Sequence, residues 1–133
     1  MISTKGRYAL RVMIDLAQQE EKGSAYIPLK DIAERQGISK KYLEILMREL
    51  VDGGFVKGMS GKGGGYVLCR TPEAYTVGEI LEHMEGTLAP VACLAKGAPP
   101  CGRAGECRTL PLWKEFNDMV YTFFNGKTLR DLL

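Results

Sequence analysis

The chain has 133 residues, 45% hydrophobic and 26% charged, which is the size and balance of one soluble globular domain and excludes a disordered or fibrous chain. No apolar run approaches the roughly 18 residues of a membrane span, and Met1-Ile2-Ser3-Thr4-Lys5-Gly6-Arg7 lacks the apolar core of a secretion signal, so a cytoplasmic location is expected. The net charge of +2 hides an asymmetry: residues 1–70 hold 12 Lys/Arg against 8 Asp/Glu and residues 71–133 hold 6 against 8, which is compatible with nucleic-acid binding by the first half and marks only which half to search.

Residues 3–20 carry a helical repeat, with Ala9, Met13, Leu16 and Ala17 at i, i+4, i+7 and i+8 and Leu10 and Ile14 beside them; Gly23-Ser24 breaks it. Pro28 opens a short helix with Leu29, Ile32 and Ala33 on one face, ended by Gly37 as a left-handed cap. Ser39 is an N-cap for a third helix striped with Leu43, Leu46, Met47 and Leu50, which Gly53-Gly54 stops. The period then changes. Phe55-Val56 and Tyr66-Val67-Leu68 read as strands of a hairpin whose tip, Lys57 to Gly65, is long, basic and glycine-rich. Thr76 and Glu79 form a capping box for a helix with Val77, Ile80, Leu81 and Met84 inward, closed by Gly86. Residues 87–109 read as a loop rich in Gly, Pro and Cys. Pro111 starts a last long helix carrying Leu112, Trp113, Phe116, Met119, Val120, Phe123 and Phe124; Asn125-Gly126 ends it, and Thr128 with Asp131 caps a final turn.

Two short helices joined by a tight turn are the skeleton of a helix-turn-helix. Small Ala33 lets the helices cross closely, Gly37 tolerates the positive φ of the turn, and Ile38 anchors it. The second helix presents Ser39, Lys40, Lys41, Tyr42 and Glu44 at its start, where a recognition helix meets base edges; Glu44 suits a cytosine amine and the lysines suit guanine or phosphate. The alternative is a solvated face on an ordinary helix pair. A hairpin directly after such a pair is a wing, and its tip, Ser60-Gly61-Lys62-Gly63, is slim enough to approach a minor groove. A nucleotide phosphate loop at Gly61–Gly65 is a poor reading, because strand rather than helix follows and no Ser/Thr follows Lys62. The expected fold is therefore mainly α with a small β-hairpin: a winged helix-turn-helix over residues 1–85, a cysteine-rich loop over 86–109, and a dimerisation helix with its tail over 110–133, one structural domain overall.

Cys93, Cys101 and Cys107 crowd that loop. As thiols in a reducing compartment they point to a metal more than to a disulfide framework. An iron–sulfur cluster, zinc, a thiol switch and an inert loop all remain open from the residues alone, although zinc prefers closer cysteine pairs. Lys96, Arg103 and Arg108 lie near enough in sequence to favour thiolates electrostatically. Cys69, isolated after Val67-Leu68, reads as a small packing residue.

Ser3-Thr4-Lys5-Gly6-Arg7-Tyr8-Ala9-Leu10, Ile32 to Ser39, Tyr42-Leu43-Glu44 and Gly61-x-Gly63-Gly64-Gly65-Tyr66 together resemble the bacterial IscR/NsrR/CymR-type winged helix-turn-helix transcriptional regulators, and the match runs on through Leu112-Trp113 to Thr128-Leu129. The resemblance implies a homodimer, not an enzyme, that binds two-fold symmetric double-stranded DNA, with Lys5 and Arg7 near the phosphate backbone. It is closest to the cluster-binding IscR-like branch. That implies an iron–sulfur cluster on Cys93, Cys101 and Cys107, [2Fe–2S] in preference to [4Fe–4S], and regulation, as a repressor, by cluster status, redox state or nitric oxide. Two departures stand out: IscR-like wings often carry Arg where this chain has Ser60, and Leu110 stands where such proteins place a His three residues after the last Cys. NsrR-like members use an acidic residue near the N-terminus, where this chain reads Arg7-Tyr8. The fourth ligand is open, with Asp15 and Glu85 conceivable and His83 a surface residue.

The last helix is apolar over more than one narrow face, so it needs burial on two sides. A second copy of the chain is the simplest cover; helix 3–20 and the wing are the alternative. The rival functions are a CymR-like regulator without a cluster, governed by a protein partner or thiol oxidation, and a small iron–sulfur electron-transfer protein. The stacked-aromatic sheet of an RNA binder is absent.

Overall fold

The computed structural model describes residues 1–133. Ser3 begins the first helix by accepting the Gly6 N–H on its hydroxyl at 3.2 Å, and α1 runs Thr4–Glu21 with Ala9, Val12, Met13, Leu16 and Ala17 turned inward. Next comes α2, Leu29–Gln36. It ends on Gly37, whose φ of +64° lies in the left-handed region that favours glycine, and the Ile38 N–H then bonds back to the Ala33 carbonyl at 3.2 Å. Ile38 is buried, as an anchor of the turn should be. The Ser39 hydroxyl accepts the Tyr42 N–H and starts α3, Lys40–Asp52, which buries Leu43, Leu46, Met47 and Leu50.

β1, Val56–Met59, pairs antiparallel with β2, Gly65–Leu68, in the register Val56↔Leu68 to Met59↔Gly65. The strands thus reach further out than the hydrophobic pattern indicates, and the tip shortens to residues 60–64. Glycines 58 and 65 pair here despite their low strand preference, because the ladder fixes them. The outer edge of β2 carries an additional rung near its tip end: Ile27 and Tyr66 exchange N–H···O bonds at 2.8 and 2.9 Å, which ties the segment before α2 to the wing. A side chain on Gly65 would strike the Ile27 carbonyl, with Cβ at 2.2 Å, so this rung needs glycine there.

After a short 3-10 turn at Pro72–Ala74, Tyr75 is fully buried. Its hydroxyl donates to the Phe55 carbonyl at 2.6 Å and accepts the N–H groups of Cys69 and Arg70 at 2.9 and 3.0 Å. The capping box of Thr76 and Glu79 is complete at the start of α4, Val77–Glu85. The loop that follows contains one 3-10 turn, Ala92–Leu94, before α5, Leu110–Asn125. The tail then returns: Val77 and Leu129 bond to Lys127 and Tyr75 through the backbone, and Leu129 is buried in the main core. Thr128 and Asp131 cap the last turn reciprocally. No helix is long and apolar enough to cross a membrane.

One expectation needs correction: Cys69 is exposed rather than packed, because it lies just beyond β2, whose last residue, Leu68, is the one turned into the core. α5 lies chiefly on α4, burying only Val120 against Val77, Leu81 and Leu88, so helix 3–20 and the wing, the alternative to a second copy, do not cover it alone. Its outer face leaves Leu112, Phe116, Met119 and Phe123 exposed by 57, 40, 63 and 59%.

Candidate nucleic-acid interface and cysteine loop

The start of α3 is a cationic surface built on a helix N-terminus. Lys40, Lys41 and Glu44 are exposed and none is in an ion pair. Ser39 accepts one N–H in the cap, leaving its O–H free to donate, and the positive end of the helix dipole adds to the lysine charges. Tyr42 is half-buried, its ring meeting Tyr8 edge to face at 5.9 Å, so it packs α3 on α1 as much as it faces outward. Ser60, Gly61, Lys62 and Gly63 are all exposed at the wing tip. Arg7 is exposed with only the Thr4 hydroxyl as partner, whereas the Lys5 ammonium is paired with Glu49 at 3.1 Å, near the far end of α3 from Ser39.

What sets the angle of this surface escaped the sequence reading. Asp15, only 2% exposed, accepts both guanidinium N–H groups of Arg35 at 3.0 and 2.8 Å and the Gln36 amide at 2.9 Å, clamping α2 to α1. Arg11 bonds the Gln36 carbonyl and side chain and lies 4.9 Å over the Tyr8 ring. One signal was available: a lone carboxylate in the apolar stripe of α1 demands a partner. Asp15 is therefore committed to the fold and is no ligand for a metal. Glu85 is also engaged, accepting from the Ser3 N–H and hydroxyl at 3.0 and 2.7 Å. His83, exposed as expected, contacts the Glu49 carbonyl through Nε2 at 2.8 Å.

Cys93, Cys101 and Cys107 are free thiols on the loop, the first two exposed and Cys107 half-buried. The Cys107 thiol is held below its usual range by the Thr109 hydroxyl and by the N–H groups of Thr109 and Leu110 at the start of α5. Those groups, not the neighbouring basic side chains, are the cause. No three Cys, His, Asp or Glu side chains stand grouped as a metal requires. The donor set still fits an iron–sulfur cluster chemically: three thiols outside any disulfide on a segment punctuated by Gly and Pro, whose only regular element is one 3-10 turn.

Residues 2–133 match a family model described as Rrf2, iron-dependent transcriptional regulator. The chain belongs to the Rrf2 family. It is 38% identical to the HTH-type transcriptional regulator IscR of Escherichia coli (strain K12 / DH10B) over 132 residues, 99% of this chain and 79% of that protein. The structure is similar to CymR (YrzC), the global cysteine regulator of B. subtilis, at a TM-score of 0.78 with 39% identity, covering 99% of this chain and 95% of the other. It is similar to T. potens IscR at 0.76 with 33% identity, covering 99% and 85%. As an Rrf2-family winged-helix protein it is an IscR-like, DNA-binding transcriptional regulator and not an enzyme.

Proposed function

We propose that this Rrf2-family protein is a homodimeric repressor that holds an iron–sulfur cluster on Cys93, Cys101 and Cys107, [2Fe–2S] in preference to [4Fe–4S], and reads a two-fold symmetric operator. One observation carries the proposal: the three-thiol loop feeds, three residues after Cys107, into a helix whose outer face is apolar and uncovered. A second copy of α5 buries Leu112, Phe116, Met119 and Phe123 across a two-fold axis, placing the sensor loop beside the interface that spaces the two recognition helices. Lys40, Lys41 and Glu44 then face the major groove, Lys62 on its glycine tip the minor groove, and Arg7 the backbone. Lys5 serves Glu49 first and is a weaker candidate for phosphate. A bound cluster supplies a group that oxidants, nitric oxide or iron limitation can remove. The chain's own part is to supply the thiols, and Thr109 favours the thiolate of Cys107. The fourth ligand is unassigned.

The test is anaerobic purification with an absorption spectrum and iron and sulfide counts, repeated on Cys93→Ala, Cys101→Ala and Cys107→Ala. Visible charge-transfer bands lost in all three support the site; bands unchanged in any one remove that residue from it. The 39% identity to B. subtilis CymR favours a second reading, a regulator without a cluster that responds to a protein partner or to thiol oxidation. A colourless, iron-free protein that still binds its operator would establish that reading instead.

A further inference from the structure

Ile45 is not part of the core that α3 helps to build. It sits on the outward face of α3, 44% exposed, while the buried face of the helix is complete without it in Leu43, Leu46, Met47 and Leu50. Helical spacing sets it beside Lys41 at i−4 and Arg48 at i+3, both exposed and neither in an ion pair. A branched aliphatic group framed by two cations on the groove-facing side of a recognition helix is a poor contact for phosphate and offers nothing to a base amine or carbonyl. The most prominent apolar feature of a major-groove floor, projecting where cytosine offers only a C5–H, is the C5-methyl group of thymine.

We infer that Ile45 reads a thymine methyl, one in each half-site of the operator, while Lys41 and Arg48 hold the flanking phosphates or guanine edges. The inference rests on the proposed DNA reading by α3 and extends it to a base identity. Ile45 also adds what Lys40, Lys41 and Glu44 do not: polar groups discriminate by hydrogen bonds, whereas an aliphatic contact selects by the presence of one methyl. Uracil, which lacks only that methyl, isolates the interaction without disturbing any hydrogen bond.

The experiment starts from a random-sequence duplex library selected by the intact protein. The selected duplex is then rebuilt with thymine replaced by uracil at one position at a time, and affinities are measured by fluorescence anisotropy at fixed salt. Withdrawing one methyl from a buried apolar contact should weaken binding about fourfold at a single position per half-site, and about 15-fold with both half-sites changed together. In Ile45→Ala the same replacements should be silent. Because Ile45 is exposed, this variant keeps its fold, and a melting temperature equal to that of the parent verifies it. The inference is overturned by a selected site with no thymine in the major groove facing α3, by uracil replacement that is silent everywhere in the parent, or by a penalty that persists in Ile45→Ala. Absence of any salt-sensitive duplex binding is a different result: it removes the DNA reading by α3 itself.

Discussion

Replacing Tyr75 by Phe removes one oxygen from the centre of the molecule and leaves its shape intact. The hydroxyl it deletes serves three backbone groups at the base of the wing: the Phe55 carbonyl, to which it donates at 2.6 Å, and the Cys69 and Arg70 N–H groups. Two of these keep a substitute, since the Cys69 N–H already reaches the Phe55 carbonyl at 3.2 Å. The Arg70 N–H keeps none. One partly buried amide without a partner, together with the loss of a short bond to a carbonyl, costs about 2 kcal/mol. For a chain of this size that corresponds to a fall of about 8 °C in Tm. Differential scanning calorimetry measures the shift, and amide exchange locates it: protection along Val56–Leu68 should fall before that of α1. A Tm change under about 2 °C, or loss of protection spread evenly over the chain, would refute the claim that this hydroxyl fastens the wing.

Asp15→Asn strips the charge from the α1–α2 clamp; with Arg35 about one-third exposed and able to rehydrate, a loss of about 2 kcal/mol is expected by urea titration, with weakened operator affinity as the recognition surface loosens. Glu20 has a raised pKa, pushed up by burial and drawn back in part by the Leu68 amide, and its Oε2 has no partner. Its charged form is therefore disfavoured in the fold, so Glu20→Gln should stabilise the protein at pH 7, and that gain should shrink as pH falls through the folded carboxyl's raised pKa and vanish below the ordinary carboxylate range. A gain that grew on acidification would reverse the assignment. Met119→Lys with Phe123→Asp places charges in the proposed dimer face; sedimentation should show a folded monomer where the parent is a dimer, since each of those side chains contributes about 1.5–3 kcal/mol on burial.

The local signals were legible in the sequence wherever a single residue decides an element's end. Ser39, Gly37, the Thr76–Glu79 box and Gly86 mark boundaries because each satisfies or redirects backbone groups within four residues. The apolar stripes of α1, α3 and α4 were equally legible, as one core claims all three. What the sequence did not show are arrangements between distant segments. The Ile27 rung, the Tyr75 hydroxyl network and the Asp15–Arg35 clamp depend on partners 39, 20 and 20 residues away, which no periodicity encodes. Cys69 escapes the pattern for a related reason: whether a residue at the end of a wing strand is buried depends on which side the hairpin is covered, and neighbouring sequence does not encode that. The cysteine loop exposes the opposite limit, for its residue types announce chemistry while its fold in isolation does not assemble a three-ligand site.

A second set of long-range contacts, around α4, offers a route by which a change in that loop would reach DNA. Successive residues near the C-terminus of α4 are divided among three neighbours. Glu82 accepts the Tyr121 hydroxyl of α5 at 3.0 Å, and that hydroxyl in turn accepts the Leu88 N–H at the mouth of the loop. His83 contacts the Glu49 carbonyl of α3, and Glu85 holds the N-cap of α1 through Ser3. The proposed dimer helix, the recognition helix and the basic N-terminal turn thus meet within four residues, and the loop departs from that point at Gly86. If the loop closes on a guest as proposed, Leu88, bonded to Tyr121, and Cys107, bonded to Thr109 at the start of α5, are the two ends through which the change would reach α5. Coupling then requires only that the guest bind one arrangement of α4 and α5 better than another. Tyr121→Phe separates the two possibilities: if Leu88 and Glu82 transmit the signal, operator affinity with and without cluster should converge while cluster binding persists, and if the difference survives unchanged, the signal travels through Cys107 and the start of α5 alone.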